Sequence, residues 1–481
     1  MSKNLIEFSN NLYNYFRYLF GEESANKYIN FIQNKPAQYL RINSLKTTKN
    51  KLIKKLKEYY KIQTESLPDF PYSLKVLDNK NLAGKTVEHI IGDYYIQGLS
   101  SMIPPMILNP AKDDVVLDLC SAPGSKTTGL AELMENRGTL IANEIALDRI
   151  KVLVYNLDRM NIVNAAVLHN KGELLSKIFF EHFDKILVDA PCSGLGIIQK
   201  KEEVSKWWSI DRAERLGNLQ LRLLIAAIKM LKVGGEVVYS TCTLTVEENE
   251  FIIDKVLKKY PIEIENIELP IKSHDGFTSY KNIRLNPQIN KARRILPWEA
   301  DSDGFFIIKL RKTNKTNSSE LIKLKRGDLT LLSYNNKEVR NLLSNIENDF
   351  GISGSVLSKY KYLIKKNNVY FIANDWEDQN FSIFERIGTR FGVIDKKGGI
   401  TLHTQAAQVL QNFITENIYE IVDRNELKTY LEGGVIKNHF SGNGQCAIKY
   451  NDSILGAAVV TDRGIKSRFP RSKRTQEIVT C

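Results

Sequence analysis

The stretch VVLDLCSAPGSKTTGLAELMEN, residues 115–136, indicates the fold class of the central part of the chain. Its first residues form an apolar run that predicts a buried strand, and TTGLAELMEN predicts a helix. The turn between them, DLCSAPGSKT (118–127), consists of small residues that let a ligand approach the backbone closely. It matches neither the phosphate-binding GxxxxGK[ST] pattern nor the dinucleotide-binding GxGxxG pattern. Alone it is weak evidence for a ligand site, because a plain tight turn has the same composition.

Apolar runs of strand length recur along the chain, with helical stretches between them. They are VVLDL (115–119), TLIAN (139–143), AAVLH (165–169), DKILVDA (184–190), GEVVYST (235–241) and GFFIIKL (304–310). This alternation is typical of a doubly wound, mostly parallel α/β sheet, which binds ligands at the carboxyl ends of its strands. We therefore expect an α/β domain over residues 96–312.

The flanking segments have different patterns. The apolar spacing predicts a helix within residues 4–33. The run QYLRINSLK predicts a short strand, and TTKNKLIKKLKEYYK (47–61) predicts a basic amphipathic helix. Residues 1–95 therefore predict a small helical and α+β domain. The polar segment 313–320 predicts a linker. Residues 321–481 predict a further mixed region, with strands at NVYFIA, GQCAIKY and SILGAAVV.

Composition limits the class of protein. The formal net charge of +13 favours polyanionic partners, although lysines on solvated faces would give the same number. No apolar run reaches 18 residues, so we expect no membrane span. The first residues lack a signal-peptide pattern, which indicates a cytoplasmic protein, and we expect a monomer. Five widely spaced cysteines without a CxxC or HxxxH pair indicate free thiols and no metal site.

An acidic residue follows the second strand of the predicted sheet. Glu144 ends TLIANE, 20 residues after Gly124, where it could accept hydrogen bonds from both ribose hydroxyls of a ligand. A surface glutamate at a strand end is the alternative. Together with the small-residue turn, Glu144 favours an adenosine-containing ligand held without a phosphate site, which suits S-adenosylmethionine.

Two cysteines follow the fourth and fifth strands. Cys192 lies in DAPCSGLG (189–196) and Cys242 in YSTCTLTVEENE (239–250). Since these strands are neighbours in this class of sheet, we expect both thiols to meet beside the cofactor. Burial as a small apolar side chain is the usual fate of a free cysteine, and we expect it for Cys120, Cys446 and Cys481.

Two thiols and a carboxyl group suit methylation of carbon 5 of cytosine. That carbon is a poor nucleophile until a thiolate adds to carbon 6, and an acid such as Asp189 can assist at N3. A second group near carbon 5 can help to release the hydrogen and the thiol. The run Asp-Ala-Pro-Cys also differs from the Asp/Asn-Pro-Pro-aromatic run typical of enzymes that methylate exocyclic amines.

The motifs resemble those of the NOL1/NOP2/Sun-type RNA cytosine-C5 methyltransferases. The matching runs are DLCSAPGSKT, ANEIALDRIKVLVYNLDRMNI, DKILVDAPCSGLG and GGEVVYSTCTLTVEENE, with LRINSLKTT, YYIQGLSSM and DGFFIIKLRK in support. The resemblance covers about residues 36–312. It implies a Rossmann-like S-adenosylmethionine-dependent methyltransferase domain, flanked by the small N-terminal domain and the C-terminal region.

The resemblance also implies residue roles. Cys242 would be the nucleophile, Cys192 would help to resolve the covalent adduct, and Asp189 and Lys126 would contact the target base. Cofactor contacts would come from Cys120, Ser121, Ala122, Pro123, Gly124, Ser125, Lys126, Glu144, Arg149, Asn170 and Asp189. Asn170 is on this list because the run LHNKG lacks the aspartate usual in the family, so that Asn170 or His169 must replace it. Trp207 and Trp208 could border the base pocket, but core packing is favoured.

The C-terminal segment resembles the tails of bacterial enzymes of this group that act on small-subunit (16S) ribosomal RNA. The matching runs are RIGTRFG, TLHTQAAQ, YLEGG, CAIKYNDSILGAA and IKSRFPRSKR. Such tails carry a PUA-like RNA-binding fold. A phosphate-binding strip is expected from Arg463, Lys466, Arg468, Arg471, Lys473 and Arg474, and a second one from the helix near 46–61. Either could instead be a solvated basic surface.

Three functions remain open on the sequence. The first is methylation of an unpaired or flipped cytosine in ribosomal RNA, with naked RNA and an assembling small subunit both open as the substrate. The second is the same reaction on transfer RNA. The third is a non-catalytic RNA-binding assembly factor, against which the intact set of Asp189, Cys192, Cys242 and Lys126 argues.

Overall fold

The computed structural model describes residues 6–317, 321–322, 329–378, 381–396, 398–438, 440–442, 444–474 and 477–479. Cys481 and the end of the expected linker, residues 318–320, lie outside this part of the chain. Within it, no helix combines the length and the apolar character needed to cross a bilayer.

The N-terminal region begins with two helices where the sequence predicts one. The helical pattern is interrupted at Gly21, whose φ of 82° an L-residue rarely adopts. A four-stranded antiparallel sheet in the order β2-β3-β1-β4 follows. The elements are α1 (Asn10–Phe20), α2 (Glu22–Ile32), β1 (Gln38–Ile42), α3 (Lys49–Tyr60), β2 (Thr64–Leu67), β3 (Phe70–Val76), α4 (Val87–Ile91) and β4 (Tyr94–Ile96).

The central region alternates strands and helices as predicted. Its elements are α5 (Leu99–Leu108), β5 (Val115–Asp118), α6 (Ser125–Leu133), β6 (Thr139–Glu144), α7 (Leu147–Arg159), β7 (Ala165–His169), β8 (Phe183–Asp189), α8 (Glu203–Trp207), α9 (Ile210–Met230), β9 (Leu231–Thr241), α10 (Glu250–Leu257), β10 (Ile262–Glu265), β11 (His274–Asp275), β12 (Ser279–Tyr280), β13 (Ile283–Arg284), β14 (Arg293–Ile295), α11 (Pro297–Ala300) and β15 (Phe305–Lys312). All six predicted strands are confirmed, with shifts at their ends.

These strands form the main sheet of the molecule. Its order is β11-β14-β15-β9-β8-β5-β6-β7-β19, with β10 beside β15. Strands β5 to β9 run parallel to one another, and β15 is antiparallel to β9. The adjacency expected for the fourth and fifth predicted strands, β8 and β9, is confirmed, so their carboxyl ends open at one edge. Apolar side chains such as Leu117, Ile186 and Val237 are fully buried in the sheet.

The C-terminal region contains two five-stranded sheets, in the orders β16-β17-β18-β20-β21 and β22-β24-β25-β26-β23. Its elements are β16 (Leu332–Ser333), α12 (Lys337–Phe350), α13 (Gly354–Leu357), β17 (Tyr360–Lys365), β18 (Asn368–Ala373), β19 (Phe384–Ile387), β20 (Thr389–Ile394), β21 (Ile400–Leu402), α14 (Thr404–Val409), β22 (Ile418–Ile421), α15 (Arg424–Leu431), β23 (Val435–Ile436), β24 (Gln445–Tyr450), β25 (Ser453–Thr461), β26 (Gly464–Ser467) and α16 (Arg471–Arg474). The three strands predicted here are confirmed as β18, β24 and β25.

One strand of this region leaves it and joins the main sheet. β19 pairs antiparallel with β7, with Phe384 opposite Leu168 and Ile387 opposite Ala166. Arg386 in β19 forms an ion pair with Asp158 in α7. The segment 321–481 therefore supplies the last strand of a sheet that the sequence assigned wholly to residues 96–312.

The N-terminal and C-terminal regions are also in contact with each other. Val87 and Ile90 of α4 pack in one apolar cluster with Tyr430 and Phe469 of the C-terminal region. Lys55 of α3 forms an ion pair with Asp452, at a distance of 2.6 Å. These contacts fix the C-terminal region against the N-terminal one.

Candidate active site

The loops that follow β8 and β9 bring two thiols together. Cys192 Sγ lies 3.1 Å from Cys242 Sγ, so the convergence inferred from topology is observed. The hydrogen bond with Cys242 and burial both raise the pKa of the Cys192 thiol well above its ordinary value. Cys192 therefore holds its proton at neutral pH while Cys242 is in contact with it.

A buried ion pair lies beside the thiols. Lys126 Nζ donates to Asp189 Oδ2 at 2.7 Å and to Ser101 Oγ at 2.9 Å, and Ser240 Oγ donates to Asp189 Oδ1 at 2.9 Å. Burial by itself lowers the pKa of Lys126, but the neighbouring Asp189 carboxylate more than offsets it and the pKa is raised. Lys126 is thus a positively charged hydrogen-bond donor inside the site.

Two cavities meet at this group of residues. The larger, of about 580 Å³, extends from the turn after β5 towards α9, and the smaller, of about 190 Å³, lies towards α5 and β15. Both are lined by Cys120, Ala122, Asp189, Ile197 and Cys242. A ligand in either cavity would therefore contact the same thiol and carboxylate.

The larger cavity fits an adenosine-containing cofactor. Buried Glu144 lines it at the end of β6, with Oε2 of its carboxylate 3.2 Å from Arg149 and Oε1 accepting from the backbone of Ala146. Its other walls include the apolar side chains of Ile145 and Leu223, which suit a purine ring. The acidic group at the strand end and the apolar walls match a nucleoside with free ribose hydroxyls.

The residues expected to hold the cofactor divide between the two cavities. Cys120, Ala122, Glu144, Arg149 and Asp189 line the larger one, whereas Ser121, Pro123, Ser125 and Lys126 line only the smaller one. Gly124 lines neither cavity; its φ of 104° lets the turn lead into α6. The turn after β5 therefore contributes to the walls of both cavities.

Asn170 is not among the residues that line the larger cavity. Its backbone oxygen accepts a hydrogen bond from Asn143 Nδ2 at 3.1 Å. His169 is exposed, and its ring approaches the Ile145 carbonyl. Gly172 and Glu173, slightly further along the chain, line the cavity, so the role expected of Asn170 at the adenine stays a prediction.

The two tryptophans have different surroundings. Trp208 is buried and its ring centroid lies 4.9 Å from that of Tyr15, as expected for core packing. Trp207 is partly buried and packs against the apolar cluster that contains Trp208, as expected, but it also lines the larger cavity, with the Arg212 guanidinium 3.8 Å above its ring.

Besides Ile197, which lines both cavities, sequence reasoning missed three residues of the smaller cavity. Ser101, Asp303 and Phe305 line it together with Lys126 and Asp189. They lie within the runs YYIQGLSSM and DGFFIIKL, so the signal was present in the sequence, but pattern alone gave these residues no role.

The expected basic strip is only partly at the surface. Arg463, Lys466, Arg468 and Arg471 are exposed. Lys473 is 1% exposed and donates to the Ile90 carbonyl, and burial lowers its pKa to about 7, so its assignment to the strip is wrong. Arg474 is half-buried and donates to the Phe469 carbonyl. Both side chains of α16 therefore form hydrogen bonds within the protein and are not presented to a phosphate.

The second basic strip has a similar division. Lys51, Lys54 and Lys57 of α3 are exposed, whereas Lys55 is paired with Asp452.

Among the described residues no cluster of His, Cys, Asp or Glu is arranged to hold a metal ion. The four described cysteines, Cys446 among them, carry free thiols.

Comparison with known proteins agrees with this geometry. Residues 105–311 match the family model described as 16S rRNA methyltransferase RsmB/F. The chain is 32% identical to ribosomal RNA small subunit methyltransferase F of Shewanella woodyi over 416 residues, which cover 84% of each protein. It is 37% identical over 276 residues to the tRNA (cytosine(49)-C(5))-methyltransferase of Pyrococcus abyssi, covering 57% of this chain and 87% of the relative.

Solved structures show the same fold. A methyltransferase homolog from Pyrococcus horikoshii superposes with a TM-score of 0.57 and 32% identity, covering 64% of this chain and 96% of that one. NSun6 from Pyrococcus horikoshii with SFG superposes with a TM-score of 0.56 and 26% identity, covering 65% and 100%. S-adenosylmethionine is accordingly the cofactor, and the chain belongs to the RsmB/F family of RNA cytosine-C5 methyltransferases.

Proposed function

We propose that this protein methylates carbon 5 of a cytosine in small-subunit ribosomal RNA through a covalent adduct with Cys242. The observation that carries the proposal is the 3.1 Å contact between the Cys192 and Cys242 thiols at the junction of the two cavities. The relatives named as small-subunit methyltransferases align with 81–90% of the chain, which includes part of its C-terminal region, whereas the transfer RNA enzyme aligns with 57%. This difference favours ribosomal over transfer RNA.

The two cavities suggest a division of labour. The larger would hold the cofactor, through Glu144, Arg149 and the turn after β5, and bound S-adenosylmethionine supplies an activated methyl group. The smaller would hold one cytosine, which must be unpaired or flipped out of a duplex to enter. Both open onto Cys242, so carbon 5 and the methyl group can meet there.

The residues around the base then assist addition and release. Addition of the Cys242 thiolate to carbon 6 increases electron density at carbon 5 and N3, and the Lys126–Asp189 pair can stabilise that density and supply a hydrogen bond at N3. After carbon 5 has gained its substituent, its hydrogen must leave and the Cys242–carbon 6 bond must break. Cys192 lies next to Cys242 and is placed to assist this last stage.

The flanking regions would bind the RNA. The exposed cations Arg463, Lys466, Arg468 and Arg471 and the exposed lysines of α3 suit contacts to phosphates, which supply affinity without reading sequence. We infer that the C-terminal region has a PUA-like RNA-binding role. We also infer a monomer in the cytoplasm, a reducing compartment that keeps both thiols free.

The test compares Cys192→Ala and Cys242→Ala, each incubated with S-adenosylmethionine and total cellular RNA and examined on a denaturing gel. We expect Cys192→Ala to accumulate protein covalently linked to RNA and Cys242→Ala to give none. Cys446→Ala is the matched control, because Cys446 is buried in β24, outside both cavities, and it should behave like the unmodified chain. Sequencing the trapped RNA separates ribosomal from transfer RNA.

Other outcomes have distinct meanings. An adduct that requires Cys192 and not Cys242 would reverse the two roles. Absence of an adduct and of methylated product from every variant and from the unmodified protein would favour the third function, a non-catalytic RNA-binding factor.

A further inference from the structure

One buried carboxylate connects the two loops that carry the reactive thiols. The Glu248 side chain is 0% exposed. Its Oε1 accepts from the Ser193 backbone N–H at 2.8 Å and from Gln220 Nε2 at 2.9 Å. Its Oε2 accepts from Thr245 Oγ1 at 2.9 Å and from the Ser193 hydroxyl. Both oxygens are therefore fully occupied by donors.

These donors flank the two cysteines. Ser193 directly follows Cys192, and Gln220 of α9 also donates to the carbonyl of Pro191 at 2.9 Å, so the residues on both sides of Cys192 are held. Ser193 Oγ lies 2.8 Å from Oγ1 of Thr243, the residue after Cys242. The network thus joins the backbone around one thiol to the residues that follow the other.

We propose that Glu248 is the positioning residue that holds the Cys192 and Cys242 thiols against each other. It lines neither cavity and so acts through the loops, not on the substrate. A buried carboxylate with four donors forms strong, charge-assisted hydrogen bonds, and it leaves unsatisfied groups if it is removed. Displacement of reacting groups by about 1 Å can slow a reaction on the order of 100-fold, so we expect loss of the Glu248 hydrogen bonds to lower the rate of methylation measurably.

Glu248 is suited to this role by its burial as well as by its contacts. Burial raises its pKa, while the hydrogen bonds from Ser193, Gln220 and Thr245 oppose that change. Tyr239 of β9 donates to the Glu248 backbone carbonyl at 2.7 Å, which fixes the main chain at this position. Side chain and backbone are both held, so the carboxylate can serve as a fixed point for two loops.

The proposal rests on the proposed function, and its test is Glu248→Gln in the full-length protein. Glutamine keeps the shape but replaces one acceptor by a donor. We expect single-turnover methylation to fall on the order of 10–100-fold, with the RNA KM and the cofactor Kd changed by less than about threefold. We also expect the variant to accumulate covalent RNA adduct, as Cys192→Ala should, because Cys192 no longer lies correctly for adduct resolution.

Two further variants keep the test decisive. Thr245→Val removes one donor without changing the charge and should give a smaller effect in the same direction. Glu247→Gln is the matched control, since Glu247 is also buried but accepts from Tyr15 and has no contact with the cysteine loop around residue 193. It should resolve its adduct at the normal rate.

A second readout needs no RNA. Diamide oxidises two adjacent thiols to a disulfide, and the rate of Cys192–Cys242 disulfide formation, followed by mass spectrometry, should fall in Glu248→Gln and not in Glu247→Gln. Unchanged adduct levels and an unchanged disulfide rate in Glu248→Gln would overturn the positioning role, even if stability were lower. If the unmodified protein makes no methylated RNA, the proposed function fails, and the disulfide rate still tests Glu248.

Discussion

At the scale of single residues, two chemically identical thiols lie in contact but have different surroundings. The contact with Cys242 and burial raise the pKa of Cys192. Cys192 therefore holds its proton at neutral pH, which matches a thiol that assists release of the adduct and does not attack the base. The same side chain supports two roles because its neighbours differ.

Asp189→Asn tests the ion pair beside the thiols. Asparagine can still accept from Ser240, but Lys126 loses its counter-charge, and the Lys126–Asp189 pair no longer supplies its hydrogen bond at N3. We expect turnover to fall on the order of 100- to 10,000-fold, the range for a general acid, while the cofactor Kd stays within several-fold. Single-turnover kinetics and calorimetric titration of S-adenosylmethionine measure the two quantities.

Asp184→Asn is the control for this change, because Asp184 lies near the opposite end of β8 and pairs with Lys232. It should leave turnover unchanged. Near-normal turnover of Asp189→Asn would show that assistance at N3 is not the role of Asp189.

The sequence predicted the chemical residues better than their supports. Cys192, Cys242, Asp189 and Lys126 stand at strand ends or in the turn after β5, where the fold class itself puts them beside a ligand. Glu248 joins two loops, and Ser101 of α5 accepts from Lys126, which follows β5; no local pattern encodes such contacts between distant segments. The sequence likewise does not show which residues after β7 line a cavity: Gly172 and Glu173 do, whereas Asn170 does not.

At the scale of elements, three segments meet directly below the thiols. The Gly196 N–H donates to the Cys242 carbonyl at 2.9 Å, and the Gly304 N–H donates to the Gly196 carbonyl at 2.8 Å. The loop after β8, the loop after β9 and the entry to β15 are therefore joined through two glycines. Side chains would keep these backbones apart.

Gly196→Ala should separate these segments. An added Cβ would lie 2.2 Å from the Gly304 carbonyl oxygen, so the backbone must shift. We expect the free energy of unfolding to fall by about 1–3 kcal/mol, as for an overpacked core, and turnover to fall because the Cys242 loop moves. Chemical denaturation and single-turnover methylation measure the two effects.

Gly84→Ala is the control here, because an added Cβ would come no closer than 3.9 Å to another atom. It should change neither quantity. Unaltered stability and turnover of Gly196→Ala would mean that the close approach of the two glycines is not required.

The strands of the main sheet and the helices between them could be predicted from apolar runs and their spacing. Their contacts with the N-terminal helices could not. Tyr28 of α2 donates to the Leu195 carbonyl, and the backbone N–H of Val246 donates to the Tyr15 hydroxyl. Helices α1 and α2 thus contact both cysteine-bearing loops. These contacts join residues far apart in the chain, whereas periodicity reports only on near neighbours.

At the scale of the whole molecule, the charge of +13 is distributed between exposed and docked cations. Replacing Arg463, Lys466 and Arg468 by glutamine should weaken RNA binding and reduce the slope of log K against log salt by about 2, since each phosphate contact contributes roughly 0.7 for single strands. Filter binding of RNA at several salt concentrations measures the slope.

The control removes three exposed cations elsewhere, Arg222 on α9, Lys255 on α10 and Lys259 in the turn after α10. It changes the net charge equally and should leave the slope nearly unchanged. Equal slopes for the two triple variants would indicate a general charge effect and no localised phosphate strip.

The division of the chain into successive regions was only partly predictable. Strand β15 ends at Lys312, but β19 returns to the main sheet after three strands of another sheet, β16, β17 and β18. A four-residue edge strand has little pattern of its own, and its place is decided by pairing with β7. Sequence reasoning on local runs therefore separates regions that the fold connects.

The return of β19 to β7 has a consequence for the making of the protein. At 5–20 residues per second, roughly 10–40 s of synthesis separate β7 from its edge partner, and until then the growing chain carries an open strand edge. Open edges are sites of mispairing between chains. A chain terminated before residue 384 keeps that open edge permanently. We expect such a truncated chain to aggregate, so that aggregation, and not loss of catalytic activity, would limit its use.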